Sequence, residues 1–388
     1  MNVLVLAPVM SKNLCEDYYV YTRLYEKGVK LAFITGRSLG ARGNYARLPV
    51  FENSDGFPIY RLYGNNKNFN EMGYFPQRKL NQVLSIASDL KPDLILCHLA
   101  ENMLLALKLQ KHLKIPIVLH VETASNIARS KFIGSWQTRF ARVLLGQPIK
   151  GLSYWFWLCE KADVVITSEP RDKQLLHSLS KYGKPLYYVP WPARIPEECN
   201  LPTTKNKLRA IYAGTLLPNK NTQEFEWIIP LILQKTPTKE FIVIGTGSQE
   251  PIIRKLKRQY GSAIIHIPAL PRCEVIKLIA GSYYAFTPVK EGGWGFLGDC
   301  WGTKTPLLML TNVFLSKLLD ICIVKSKDEL VRNINRLYED PIFYQQMQDV
   351  GYKMYNMRSA NAVGDELLSI LQRTLKSNAV SARRGRAR

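Results

Sequence analysis

Short apolar runs recur along this chain, and most are followed by a stretch with helical spacing. This alternation limits the fold more than any other feature, because parallel strands must be joined by long crossovers, usually helices. Val3–Pro8 (VLVLAP), Val29–Thr35 (VKLAFIT), Asp55–Leu62 (DGFPIYRL, led by an Asp-Gly turn) and Asp93–His98 (DLILCH) read as strands. Pro116–Thr123 (PIVLHVET), Ala162–Ser168 (ADVVITS) and Pro185–Pro190 (PLYYVP) continue the series. Helical stretches run to Tyr25 and over about 78–90 and 101–113. The rhythm breaks at 190–208, PWPARIPEECNLPTTKNKL, where prolines cluster and no period holds. It restarts with Leu208–Ala213 (LRAIYA), Phe241–Ile244 (FIVI), Ala263–Ile267 (AIIHI), Tyr283–Thr287 (YYAFT) and Pro306–Leu310 (PLLML).

The expected class is therefore α/β, with two Rossmann-like, doubly wound halves. A length of 388 residues suits two domains. The expected limits are 1–190, a linker at 191–207, a second domain at 208–350, and a helical segment at 351–375 that packs back on the first domain. The tail 376–388 (KSNAVSARRGRAR) is basic, has little to bury, and reads as disordered.

In an open parallel sheet, ligands bind beyond the carboxyl ends of the strands. After YYAFT comes VKEGGWGFLGDCWGTKTP, residues 289–306. A glycine turn that enters a helix exposes unpaired N–H groups at the positive end of the dipole and seats anions. Glu291 stands before this turn and Asp299 eight residues on, an E-x7-D spacing that can accept hydrogen bonds from sugar hydroxyls. The alternative is a sharp turn with solvated acids. After LRAIYA comes GTLLPNKN, where Gly214 permits a tight turn and Lys220 can neutralise a diphosphate or simply face solvent. After FIVI comes GTGSQEPIIRKLKRQ, whose Gly245 and Gly247 form a GxG fragment without the third glycine of a dinucleotide fingerprint. No DxD motif occurs, and no metal site is expected.

AGTLLPNKN, VIGTGSQEPIIRKLKRQ and IIHIPALPRCEVIKLIAGSYYAFTPVKEGGWGFLGDCWGTKTPLL follow in that order and resemble the donor half of retaining GT-B glycosyltransferases of the family-4, or group 1, type. DGFPIYRL, KPDLILCH and KIPIVLHVET resemble strands of the acceptor half. The resemblance implies two Rossmann-like domains facing a cleft, with the acceptor bound by 1–190 and a nucleotide sugar by 208–350. It implies transfer of a sugar from a nucleotide-diphosphate sugar to an acceptor hydroxyl, with retention of configuration and without metal. It implies that Lys220 contacts the diphosphate, Glu291 faces the transferred sugar, and the backbone of Gly293, Trp294, Gly295 and Phe296 holds sugar and phosphate oxygens. Asp299 would hold the ribose, and Gly214 and Gly247 would line the donor seat. Trp294 and Trp301 either wall the pocket or pack.

The chain departs from the family pattern in several places. Asp299 stands where the family usually has glutamate, and Thr215 where it often has arginine, which leaves Arg254 or Lys255 as substitute cations. The family often places a histidine at the end of the PIVLHVET strand. Here that place is Glu122, with His120 two residues earlier on the same face. His98, at the end of DLILCH, is the third candidate for the catalytic position.

The net charge of +22 points to a polyanionic partner. Phe132, Ile133, Trp136, Phe140, Val143 and Leu144 fall at helical spacing among Arg129, Lys131, Arg139 and Arg142. Such a helix suits an anionic membrane surface, or docks on its own domain. The resemblance brings in a glycan or lipid-linked acceptor and a peripheral enzyme on the cytoplasmic face. MNVLVLAPV lacks the basic region of a leader, and no apolar run approaches the roughly 20 residues needed to span a bilayer. Seven cysteines, at 15, 97, 159, 199, 273, 300 and 322, form no CxxC pair, so buried thiols in a reducing cytoplasm are expected rather than a disulfide scaffold or zinc site. Competing readings are a nucleic-acid-binding protein, or a transferase acting on nucleic acid, that uses the basic surface, and an epimerase or phosphorylase on the same fold.

Overall fold

A computed structural model of the chain describes residues 1–8, 10–12, 17–36, 48–63, 77–98, 102–121, 143, 150–170, 183–289, 294–311 and 316–386. Two compact units form: unit 1, Met1–Trp191 with Ala360–Arg388, and unit 2, Pro192–Ser359.

Unit 1 is built on an eight-stranded sheet with the order β3-β4-β2-β1-β5-β6-β7-β8. Its strands are β1 (Asn2–Leu6), β2 (Lys30–Gly36), β3 (Phe51–Ser54), β4 (Phe57–Tyr63), β5 (Leu94–His98), β6 (Ile117–Val121), β7 (Val164–Thr167) and β8 (Leu186–Tyr188). All pairings are parallel except β3 with β4. That hairpin is an addition to the expected series: Asp55 and Gly56, at φ 48° and 94°, close a two-residue turn rather than merely leading a strand.

The strands show why both faces are covered. Leu4 and Leu6 point into one core, with Ile34, Ile95 and Leu119. Val3 and Val5 point into the other, with Phe33, Leu96 and Val118. This is the period-two alternation of a strand buried on both sides. Helices α1 (Asp17–Glu26), α2 (Gln77–Leu90), α3 (Met103–Leu113) and α4 (Gly151–Lys161) fill the connections. Leu80, Val83, Leu105, Leu109, Trp155 and Leu158 pack on the first face, and Tyr18, Tyr21 and Leu24 of α1 on the second.

Unit 2 carries a five-stranded parallel sheet, β11-β10-β9-β12-β13, of β9 (Asn206–Ala213), β10 (Glu240–Ile244), β11 (Ile264–Ile267), β12 (Ser282–Thr287) and β13 (Leu307–Met309). Its helices are α5 (Phe225–Lys235), α6 (Glu250–Tyr260), α7 (Arg272–Ala280), α8 (Trp294–Gly302), α9 (Lys327–Glu339) and α10 (Pro341–Met357). Helix α8 is buried nearly all round, which fits its apolar composition.

Four expectations are corrected. The stretch read as a linker packs on unit 2: Ala193 N donates to Arg358 O (2.7 Å), and Ile195 N donates to the Tyr355 hydroxyl (3.0 Å). The tail is not irregular, since α11 (Ala360–Arg386) continues as helix to Arg386. Cys199 and Cys273 form a disulfide inside unit 2, whereas Cys97, Cys159, Cys300 and Cys322 are buried thiols. Helix α11 lies on α1 of unit 1 through Val363, Leu367, Ile370 and Leu371, a helical stripe in the second core. Gly364 brings it close, because a Cβ there would meet Arg23 Cγ at 2.7 Å. The Arg23–Asp365 ion pair (3.0 Å) fixes the register. The expected 351–375 segment is thus divided, with 351–359 in unit 2 and the rest in unit 1.

Candidate functional site

At the carboxyl end of the unit 2 sheet, two backbone loops run side by side. Gly214 N donates to Ile244 O (2.9 Å), Leu216 N to Thr246 O (3.0 Å) and Gln249 N to Leu216 O (2.9 Å). The β9–β10 ladder therefore continues past the strands. A Cβ on Gly245 would lie 1.9 Å from Gly214 O, and one on Gly247 would lie 2.1 Å from Leu216 O. Gly245 also has φ 137°. Glycine is required at both positions by main-chain contact, so the GxG fragment has a packing reason of its own.

Lys220 closes a 3-10 turn, Pro218–Lys220, that ends at Asn221 in the left-handed region (φ 56°). Asn221 is buried and donates through Nδ2 to Pro288 O (3.2 Å). Thr222 Oγ1 donates to Leu217 O (3.1 Å). The lysine turn is thereby tied to the chain leaving β12, just before the glycine stretch. Glu291 and Gly293 lie outside the described residues, which resume at Trp294 on the first turn of α8. Trp294 and Phe296 are buried, and the Phe296 ring meets Tyr212 at 5.4 Å. Trp301 packs against Gly351, so its role is packing.

Asp299 is buried on α8 and engages Arg272: Nη2 donates to Oδ1 (2.9 Å) and Nη1 to Oδ2 (3.5 Å). Nothing in the sequence singled out Arg272. The proposed substitute cations, Arg254 and Lys255, sit exposed on α6 and face acids, Glu250 at 3.8 Å and Glu226 at 2.7 Å.

Unit 1 gathers side chains instead. His98 ends β5 and His120 lies in β6, with ring centroids 5.0 Å apart. His98 Nε2 is 3.4 Å from Asp17 Oδ2, and its Nδ1 is 3.4 Å from the Tyr21 hydroxyl. His120 Nε2 bonds Ser168 Oγ (2.8 Å), just beyond β7. Both imidazoles are buried, and Trp191 stands 6.4 Å from the His98 ring. Burial, and then the neighbouring His98, push the His120 pKa well below its ordinary value, so His120 is neutral at pH 7. Asp17, Tyr21 and Ser168 were not expected here; they are brought together only by the pairing of β5, β6 and β7 and by α1. Glu122 and the amphipathic stretch 129–144, apart from exposed Val143, lie outside the described residues. Among the described residues, no cluster of His, Cys, Asp and Glu has the form of a metal site, and no helix is long and apolar enough to cross a membrane.

Compared by sequence, the chain matches no family model and no curated protein. By structure it is similar to sucrose-phosphate synthase from Thermosynechococcus elongatus, at 13% identity and a TM-score of 0.65, over 97% of this chain and 99% of that one. It is likewise similar to an α,α-trehalose-phosphate synthase (UDP-forming) from Burkholderia vietnamiensis, at 12% identity and a TM-score of 0.68, over 98% of both chains. An E. coli structure, trehalose-6-phosphate bound with UDP-2-fluoro glucose, matches at 13% identity and a TM-score of 0.66, over 96% of this chain and 99% of that one. The chain has the GT-B fold, with two Rossmann-like units, as the donor-half motifs implied.

Proposed function

We propose that this protein is a nucleotide-sugar-dependent glycosyltransferase that moves a sugar to an acceptor hydroxyl with retention of configuration. The observation that carries this reading is the Asn221–Pro288 bond, which sets the Lys220 turn beside the chain that enters the glycine stretch and α8. On this proposal the Lys220 cation and the N-terminus of α8 both serve the place where a diphosphate leaving group would gain charge as the anomeric C–O bond breaks. In this reading Lys220 takes the diphosphate and Asp299 the ribose. Glu291 faces the sugar, and the backbone from Gly293 to Phe296 holds oxygens, with Gly214 and Gly247 shaping the floor. The acceptor hydroxyl is oriented from unit 1 by His98, His120 or Glu122. His120, neutral and bonded to Ser168, is suited to a hydrogen bond rather than to a fixed charge.

The similar structures are UDP-forming and sugar-phosphate synthases, so UDP-glucose is the first donor to test and sugar phosphates the first acceptors. Lipid-linked and polysaccharide glycans are the second acceptor class, reached at an anionic membrane surface through 129–144 on the cytoplasmic side. Lys220 and the helix N-terminus take the place of a metal, so transfer survives a chelator. The test is thermal stabilisation by a panel of nucleotide sugars, since a ligand that binds only the native state raises the melting temperature. One donor should give a shift that Lys220→Ala and Asp299→Ala abolish. Absence of a shift with every nucleotide sugar, beside a clear shift with oligonucleotides, would replace this reading with nucleic-acid binding.

A further inference from the structure

Three pieces of unit 2 meet at one guanidinium. The first is the extended segment from Pro192, which lies along the small face of α8: a Cβ on Gly298 would be 2.8 Å from Ala193 Cβ, and one on Gly302 would be 2.5 Å from Ile195 Cγ1. Between those contacts, Arg194 presents its carbonyl to Arg272 Nη2 at 3.1 Å. The second piece is α7, which starts at Arg272; its next residue, Cys273, is bonded to Cys199 of the same extended segment. The third is α8, whose Asp299 receives both terminal nitrogens of Arg272.

We propose that Arg272 is a positioning residue for the donor ribose, aiming the Asp299 carboxylate, and that the Cys199–Cys273 bond holds Arg272 in place. The proposal rests on the reading of Asp299 as the ribose contact. The Asp299 side chain is 7% exposed and that of Arg272 41%, so the pair has one buried and one open member. A buried carboxylate without its cation is strongly disfavoured, and a two-pronged pair fixes its rotamer as well as its charge. Aspartate is one methylene shorter than glutamate, which makes its direction matter more to a hydroxyl it must reach. Arg272 sets that direction from α7, and the disulfide ties α7 to the segment that packs on α8. A dithiol reductant cleaves that tie by thiolate attack on one sulfur; the protein gains two thiols and the reductant is oxidised to its disulfide. Thiol state therefore tunes donor binding through Arg272.

The full chain, oxidised, is titrated with UDP, GDP and ADP and with their 2′-deoxy counterparts. Wild type should prefer the ribonucleotide by about 10- to 100-fold, the worth of a hydrogen bond to a charged group. In Arg272→Ala this preference should collapse towards one, as in Asp299→Ala, while Arg272→Lys restores part of it. A merely structural role would weaken ribo and deoxy forms alike and leave the ratio intact, which overturns the proposal. Cys199→Ser with Cys273→Ser should lower the ratio in the same direction but less, and an unchanged ratio removes the tether from the account. If Arg272→Ala does not fold, Arg272→Lys and the cysteine pair carry the same comparison. If wild type binds none of the six nucleotides, the donor reading itself falls, a result distinct from binding with a preference that Arg272 does not control.

Discussion

The two sheets end in different chemistry. At the carboxyl ends of β5, β6 and β7 lie buried side chains: Asp17 and Tyr21 meet His98, Ser168 meets His120, and the two imidazole rings touch. Beyond the strands of unit 2 lie main-chain loops, in which Gly245 and Gly247 press against the carbonyls of Gly214 and Leu216. The first arrangement depends on chemical partners and tolerates small changes of shape. The second depends on the absence of side chains and tolerates none. A phosphate can be seated on N–H groups that any residue owns, provided that the loops come close enough. A hydroxyl that must be oriented needs particular rings and carboxylates.

Substitutions sharpen that contrast. Gly245→Val should cost unit 2 roughly 4 kcal/mol or more, because a Cβ meets backbone that has no rotamer to yield. Denaturant unfolding should show the loss, and a wild-type midpoint would remove the claim that the loops are main-chain limited. Asn221→Ala deletes a buried hydrogen bond and puts alanine at φ 56°, together about 2–3 kcal/mol. Donor affinity should fall with it, and stability loss with unaltered nucleotide binding would separate the Lys220 turn from the donor site. In unit 1, Ser168→Ala leaves the buried His120 Nε2 without that bond, at about 1–2 kcal/mol, and Ser168→Thr should recover most of it. The last effect is on pH. His120 titrates below its ordinary 6.5 in the folded state, so the unfolded chain binds more protons as pH falls through 6.5. Stability of unit 1 should then decline from pH 6.5 downward, by at most about 1.4 kcal/mol per pH unit, and the slope should shrink in His120→Gln. A flat profile between pH 7 and 5 would mean that His120 titrates in the folded chain as it does in the unfolded one, and a rise toward low pH would mean that the fold holds it charged.

Period and punctuation made much of the fold legible. β9 to β13 and most strands of unit 1 lie where apolar runs bounded by turn residues placed them. Lys220 and Asp299 stand out as candidates in the sequence because each follows a strand at a fixed offset. Arg272 carried no local sign: its meaning comes from Asp299 and from the Arg194 carbonyl, both remote in sequence. The Cys199–Cys273 pairing, across 74 residues, was invisible for the same reason. Prolines at 192 and 196 correctly denied regular structure to their segment, but they say nothing of its packing on Gly298 and Gly302 of α8. The tail misled through its charge. Alanine and arginine are good helix formers, and α11 continues on propensity after its apolar stripe ends.

Unit 2 is inserted between the two parts of unit 1, and this sets an order in time. Arg23 and Asp365, which join α1 to α11, are 342 residues apart. At 5–20 residues per second, a ribosome needs roughly 20–70 s to make the second after the first. Through that interval the face of α1 awaiting Val363, Leu367 and Leu371 stays bare, while every residue of unit 2 is made before Ala360. The part of the protein that begins first is the part that finishes last, and its vulnerable period is set by the length of its neighbour.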